Sequence, residues 1–192
     1  MAINVGDKIP ASALAHKTAG GIDQVSTDAL FSGKKVGLFS VPGAFTPTCS
    51  AQHLPGFVQK AGEIKAKGVD TIACMAVNDP FVMEAWGKDQ SVGDNVMMLA
   101  DGSAAFTKEL GMELDLVDRG LGVRSQRFAI IVDDGTVTTA VETVQIDVLS
   151  DLIPITVTGA SVGRLEFGVQ EGGTPGADWG LDHLMPPPPN DT

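Results

Sequence analysis

The sequence contains little cysteine, little histidine and few basic residues. It has two cysteines, three histidines, and 13 Lys and Arg against 24 Asp and Glu, which gives a formal net charge of −11. Two cysteines that form no CxxC pair cannot build a disulfide framework, and three histidines leave little material for a metal site. The acidic balance argues against nucleic acid or an anionic membrane as the main partner. We therefore expect a protein that needs neither a metal nor another cofactor.

Long apolar runs are also missing. No stretch approaches the length that is needed to span a bilayer, and the opening MAINVGDKIP lacks the basic flank and apolar centre of a secretory signal. These absences predict a cytoplasmic protein that does not bind membranes. What the chain does have is 192 residues, of which 43% are hydrophobic, and this is enough for one well-packed domain.

Up to about residue 144 the sequence alternates between strand and helix patterns. Apolar runs at residues 34–40, 69–77 and 96–100 predict strands, and each precedes a segment with helical periodicity. One hairpin, turning at Gly20-Gly21, is predicted before them, and a second, turning at Asp134-Gly135, is predicted after them. This order predicts an α/β protein with a central mixed sheet flanked by helices and an N-terminal β-hairpin.

The composition changes near residue 145. Seven of the 24 acidic residues but one of the 13 basic residues lie from Gln145 onward, as do six of the 11 prolines. We interpret residues 1–144 as one domain. Residues 145–192 are interpreted as a divergent, acidic, Pro/Gly-rich C-terminal segment that is partly disordered.

Cys49 lies where a predicted strand ends and a predicted helix begins. KVGLFS is followed by VPGAFTPTC, and apolar residues then recur at spacings of three and four in SAQHLPGFVQKAGEIKAK. A thiol in the first helical turn lies near free backbone N–H groups and the positive end of the helix, which favour the thiolate. Pro42 and Pro47 would hold the shape of the loop, and Gly43 would let a ligand approach the main chain. The Thr46 hydroxyl would lie beside the sulfur.

A lone cysteine in such a loop is usually a buried structural residue, so the surrounding residues decide its interpretation. VPGAFTPTCS resembles, over its whole length, the active-site stretch of the peroxiredoxins, and most of all the type II, peroxiredoxin-5-like subfamily. Pro42, Thr46 and Cys49 fill the family pattern PxxxTxxC. The similarity continues in HLPGFVQKAGEIKAKGV, VNDPFVMEAW, LADGSAAFTKELGMELDL and GLGVRSQRFAIIVDDG, and covers about residues 3–144 in collinear order.

This resemblance implies a thioredoxin-like fold and an antioxidant, thiol-dependent peroxidase that reduces hydrogen peroxide and small alkyl hydroperoxides. Cys49 would be the peroxidatic thiolate that becomes a sulfenic acid. Thr46, the Cys49 amide and Arg127, which directly precedes an apolar strand, would donate hydrogen bonds to the peroxide oxygens. Pro42 would shield the sulfenic acid from water, and Arg124 would brace the site.

Cys74 is the second cysteine, and no cysteine follows it. A central strand that is buried on both faces explains Cys74 as a structural residue, while its participation as a resolving cysteine stays open. The simpler prediction is a one-cysteine mechanism, in which glutathione, with or without glutaredoxin, or thioredoxin reduces the sulfenic acid. The resemblance also implies a homodimer.

His53 follows Cys49 by four residues, so both could lie on one helix face. A Cys–His pair, as in a hydrolase, is one interpretation, but we favour a histidine that packs in a loop or lies on the surface. A further alternative is a peroxide sensor or chaperone-like redox protein, in which oxidation of Cys49 signals without efficient turnover. The remaining large sulfur and indole side chains are interpreted as core: Trp86, Met75, Met83, Met97 and Met98.

Overall fold

Seven strands form one mixed sheet in the computed structural model, which describes residues 2–142. The helices and strands in chain order are β1 (Ala13–Thr18), β2 (Gly21–Ser26), α1 (Thr27–Phe31), β3 (Lys35–Ser40), a π-helical turn (Cys49–His53), α2 (Leu54–Ala66), β4 (Thr71–Ala76), α3 (Pro80–Asp89), β5 (Met97–Ala100), α4 (Ala105–Glu109), β6 (Glu113–Leu116), a 3-10 turn (Val117–Arg119), β7 (Gly122–Ser125), β8 (Phe128–Asp133) and β9 (Thr136–Glu142).

The strand order in this sheet is β2-β1-β5-β4-β3-β8-β9. β4 pairs in parallel with both β3 and β5, whereas the other neighbouring pairs are antiparallel. The parallel centre follows from the strand–helix alternation, because a helix must return the chain before the next parallel strand begins. The predicted mixed sheet and N-terminal hairpin are therefore confirmed.

Helices pack on both faces of the sheet, as predicted. One hydrophobic core contains Phe57 of α2 and Trp86 of α3, and the other contains Phe31 of α1 and Phe106 of α4. Side chains of one strand alternate between the two faces. The proposed core residues Trp86, Met75, Met83 and Met98 are buried, and Met97 is half-buried against the second core.

Two local predictions differ from the structure. The first hairpin turns at Ala19 and Gly20, not at Gly20-Gly21, because Gly21 is already the first residue of β2 and pairs with Thr18. The small antiparallel sheet of β6 and β7 was not predicted, since both strands are only four residues long and β7 shows no alternation of buried and exposed residues. The second hairpin does turn at Asp134 and Gly135.

The proposed C-terminal segment, residues 145–192, lies outside the described residues. Within the part of the chain that the structure describes, no helix is both long and apolar enough to cross a membrane.

Candidate active site

The loop between β3 and Cys49 is held by hydrogen bonds to its own main chain and to the loop after β4. The Ala44 amide donates to Oδ1 of Asn78 at 3.0 Å. The Thr46 hydroxyl donates to the Gly43 carbonyl at 2.8 Å, and the Ser50 amide donates to the Thr46 carbonyl at 3.0 Å. Because β3 and β4 are parallel, the loops after them lie at the same edge of the sheet, which is where ligands bind in sheets of this kind.

Cys49 begins the π-helical turn that continues as α2. Its carbonyl accepts a hydrogen bond from the Leu54 amide, five residues later, and such single π-turns are frequent at functional sites. The side chain is 1% exposed and belongs to the core under α2. The predicted position of the thiol at the start of a helix is therefore confirmed.

Arg127 lies beside the sulfur of Cys49. Its Nη2 atom donates to Sγ at 3.2 Å, and the residue precedes β8 directly, as the sequence suggested. A guanidinium is charged at every physiological pH, so a permanent positive charge faces the sulfur. The structure thus brings together the cysteine and the arginine that the sequence analysis selected.

His53 is not a surface histidine, and our preferred interpretation of it needs correction. It is 3% exposed, and its Nδ1 atom lies 2.6 Å from Nη1 of Arg127. The ring also packs edge-on against Phe39 and Phe57. Its contact with Arg127 joins residues 74 positions apart in the chain, so local helical spacing could not predict it.

Arg124 donates to backbone carbonyls next to the site and not to the sulfur. Its Nε atom donates to the Leu121 carbonyl at 2.7 Å, and Nη1 donates to the Val77 carbonyl at 3.2 Å. Gly43 packs against this guanidinium, since a Cβ atom added at Gly43 would lie 3.2 Å from Nη1 of Arg124. The absence of a side chain at Gly43 therefore makes room for the arginine that ties β7 to the loop after β4.

Thr46 and Pro42 lie in the loop as the motif predicts. Because the Thr46 hydroxyl gives its proton to the Gly43 carbonyl, its oxygen presents lone pairs and can accept a hydrogen bond. The sequence analysis made this hydroxyl a donor to the peroxide oxygens, whereas in the structure its proton is directed to the Gly43 carbonyl. Pro42 is half-buried and follows Val41, whose amide donates to the Met75 carbonyl.

Cys74 lies in β4, opposite Phe39, and is completely buried. Burial raises the pKa of the Cys74 thiol well above its ordinary value, the electrostatic interaction with Cys49 raises that pKa further, and Arg127 lowers it. The Cys74 side chain is therefore a neutral thiol at neutral pH. Both cysteines are free and buried.

Trp86 contributes to the site through a contact that sequence reasoning missed. Its indole N–H donates to the Ser50 hydroxyl at 3.0 Å, so α3 holds the first turn of the cysteine helix. Trp86 was interpreted only as a core residue, and the polar Ser50 directly after the cysteine was the available signal.

Among the described residues, no group of three or more His, Cys, Asp or Glu side chains is arranged to hold a metal ion.

Comparison with known proteins identifies the family of this chain. Residues 4–151 match the Redoxin family model. Chloroplastic peroxiredoxin-2E of Arabidopsis thaliana is 58% identical over 139 residues, which are 70% of this chain and 59% of that protein, so the chain spans about three-fifths of that relative. Peroxiredoxin-2B of the same plant is 54% identical over 139 residues, covering 72% of this chain and 86% of that protein.

Solved structures give the same result for the fold. Prx3 of Vibrio vulnificus, in its reduced form in complex with H2O2, superposes with a TM-score of 0.71 at 51% identity, covering 74% of this chain and 89% of that one. Peroxiredoxin 5 of Alvinella pompejana has a TM-score of 0.70 at 37% identity, and the match covers 79% of this chain and 96% of that one. The sheet and its helices thus have the thioredoxin-like fold that the resemblance implied. The chain belongs to the Redoxin family and, within it, to the peroxiredoxins of type II.

Proposed function

We propose that this protein is a thiol-dependent peroxidase that reduces hydrogen peroxide and small alkyl hydroperoxides and so has an antioxidant function. The observation that carries the proposal is the 3.2 Å contact between Nη2 of Arg127 and Sγ of Cys49 at the start of a helix. A cation and a helix N-terminus both stabilise negative charge on the sulfur. The thiolate is the nucleophile that peroxide reduction needs.

In the first step the Cys49 thiolate attacks the nearer oxygen of the peroxide. A sulfur–oxygen bond forms, the oxygen–oxygen bond breaks, and the leaving oxygen takes a proton from solvent and departs as water or an alcohol. The sulfur is oxidised to a sulfenic acid, and the peroxide is reduced by two electrons. Negative charge moves from sulfur to the leaving oxygen, so donors that follow this charge lower the barrier.

The residues around Cys49 provide suitable partners for both peroxide oxygens. Arg127 carries further N–H donors on the guanidinium that already contacts the sulfur. The Thr46 oxygen can accept from the protonated peroxide oxygen, because its own proton is donated to Gly43. Pro42 would shield the sulfenic acid from water. These roles for Thr46 and Pro42 remain predictions.

Recycling requires an external thiol. Cys74 is a buried, protonated thiol in a central strand, which disfavours it as the resolving cysteine. One thiol molecule condenses with the sulfenic acid to give a mixed disulfide and water, and a second releases Cys49 as it forms its own disulfide. We propose glutathione, with or without glutaredoxin, or thioredoxin as the reductant.

A homodimer through the loops around the site is part of the proposal. Two large apolar side chains of these loops are exposed, Phe45 at 52% and Phe81, the second residue of α3, at 61%. Phe45 follows Ala44, which is tied to Asn78 of the loop that leads to Phe81. A second copy of the chain would cover this apolar surface.

The cytoplasmic location predicted from the sequence also remains a proposal, and the relatives include chloroplastic proteins.

Peroxide consumption by the full-length protein tests the proposal. We expect turnover with at least one of the glutathione–glutaredoxin and thioredoxin systems, and none from the Cys49→Ser variant. One equivalent of peroxide consumed without recycling by either system would instead support the alternative of a peroxide sensor. A hydrolase based on a Cys–His pair would have hydrolytic activity, and His53→Ala would abolish it. We expect no hydrolytic activity from the wild-type protein.

A further inference from the structure

The guanidinium of Arg127 contacts two side chains of the cysteine helix at once. Nη2 donates to Sγ of Cys49 at 3.2 Å, and Nη1 lies 2.6 Å from Nδ1 of His53. The two partners are the first and last residues of the same π-helical turn. The arginine therefore binds to the turn as well as to the reactive atom within it.

The chemistry of the two groups determines which one donates. A guanidinium has N–H donors and no acceptor, so in this contact Nδ1 of His53 must accept the hydrogen bond. The imidazole is then neutral, with its proton on Nε2. An imidazolium would present a second donor and a second positive charge to the arginine, and the contact would be lost.

Aromatic packing holds the acceptor in place. The His53 ring is buried and meets the rings of Phe39 and Phe57 edge-on, with centroids 6.3 and 6.0 Å away. Those two phenylalanine rings are themselves stacked at 3.7 Å. Phe39 belongs to β3 and Phe57 to α2, so the ring cannot turn without disturbing the packing between sheet and helix.

We propose that His53 is a positioning residue, which acts through Arg127 and does not touch the peroxide. The guanidinium is planar and rigid, so a bond that fixes Nη1 also fixes the direction in which Nη2 points. Without that bond the long, half-buried Arg127 side chain has rotamers that turn the charge away from the sulfur. The inference rests on the proposed peroxidase function, because it concerns the orientation of the group that activates Cys49.

Two variants of nearly equal size separate this role from simple packing. His53→Asn retains an acceptor oxygen near the position of Nδ1, whereas His53→Leu has a similar shape and no acceptor, and both lose the imidazole ring. The readout is the second-order rate constant for oxidation of Cys49 by hydrogen peroxide in a single turnover, followed by intact-protein mass. We expect His53→Leu to lower this rate constant about tenfold to a hundredfold, which is the range for loss of a hydrogen bond to a charged group. The rate constant of His53→Asn should stay within about threefold of wild type.

A double-mutant cycle gives a second, independent test. Arg127→Met removes the guanidinium, so adding His53→Leu in that background should lower the rate constant no further if His53 acts through Arg127. Equal rate constants for the Leu and Asn variants, or full additivity with Arg127→Met, would overturn the inference. If His53→Asn does not fold, the cycle decides alone. If wild-type protein itself consumes no peroxide, the proposed function fails, which is a separate result from failure of the His53 role.

Discussion

Ser40, the last residue of β3, is paired with Phe128, the first residue of β8. The active-site loop begins after Ser40, and Arg127 precedes Phe128, so the antiparallel register brings the arginine to Cys49 across 78 positions of the chain. A buried hydrogen bond of 2.7 Å between the hydroxyls of Ser40 and Ser125 ties the same sheet edge to β7. The charged group of the site is therefore positioned by strand pairing.

Arg127→Gln should slow the reaction with peroxide far more than the matched change at the other arginine of the site. We expect a loss of about a hundredfold to a thousandfold in the rate constant for Cys49 oxidation, as when one preorganised donor is removed from an active site. Arg124→Gln also removes a charge, but Arg124 donates to backbone carbonyls, which an amide can also do. Single-turnover oxidation of both variants measures the difference, and equal losses would contradict the assigned roles.

Thr46→Val should reduce activity, and Thr46→Ser should retain most of it. Valine has nearly the same shape as threonine but lacks the hydroxyl that bonds to the Gly43 carbonyl at 2.8 Å. The valine variant leaves the Gly43 carbonyl without this partner and removes the acceptor next to the peroxide. We therefore expect the rate constant for Cys49 oxidation to fall about tenfold or more. The measurement is the same single-turnover rate constant, and a Val variant as fast as the Ser variant would show that the hydroxyl is not used.

Two helical glycines should respond in opposite directions to alanine. In α2, Gly62 is exposed with nothing within 4 Å of an added Cβ, so Gly62→Ala should raise the free energy of unfolding by about 0.5–1 kcal/mol. In α3, a Cβ on Gly87 would lie 2.9 Å from Cγ of Met98 and 3.3 Å from Cγ2 of Val92. Gly87→Ala should therefore cost about 1–3 kcal/mol by overpacking. Chemical denaturation measures both, and stabilisation by both would contradict the packing of α3.

Cys74 should make the folded state less stable in alkaline solution. Burial raises the pKa of its thiol in the folded state, so the folded chain keeps this proton while the unfolded chain loses it above about pH 8.5. The contribution of Cys74 to stability is fully present below that pH and is lost as the pH rises towards the folded-state pKa. We expect the free energy of unfolding to fall by up to about 1.4 kcal/mol per pH unit in that window.

The Cys74→Ala variant is the control for this pH dependence. Alanine carries no proton, so the difference in unfolding free energy between wild type and variant should shrink as the pH rises above about 8.5. Urea denaturation of both proteins at a series of pH values measures this difference in unfolding free energy. A difference that does not change with pH would mean that the thiol is not shielded from water in the folded state.

Much of the fold could be predicted because its signals are local. Apolar periodicity located β3, β4 and β5 and the helices after them, and Asp134-Gly135 marked a hairpin turn. The strands β6 and β7 were missed, since they are four residues long and half-exposed. The position of Cys49 at a helix start followed from the same local patterns.

The sequence by itself determined that Cys49 lies at a helix start, because a strand, a proline-bounded loop and that helix start are all encoded in neighbouring residues. The family motif, by resemblance, selected Cys49 as the candidate reactive thiol. The family motif added Arg127 by resemblance, not by any local physical signal. Only the tertiary structure decided that Arg127 contacts both Cys49 and His53, and that His53 is buried between Phe39 and Phe57. The physical reason is that such contacts depend on strand register and on packing between sheet and helix, which join residues too distant in the chain for any periodicity to relate.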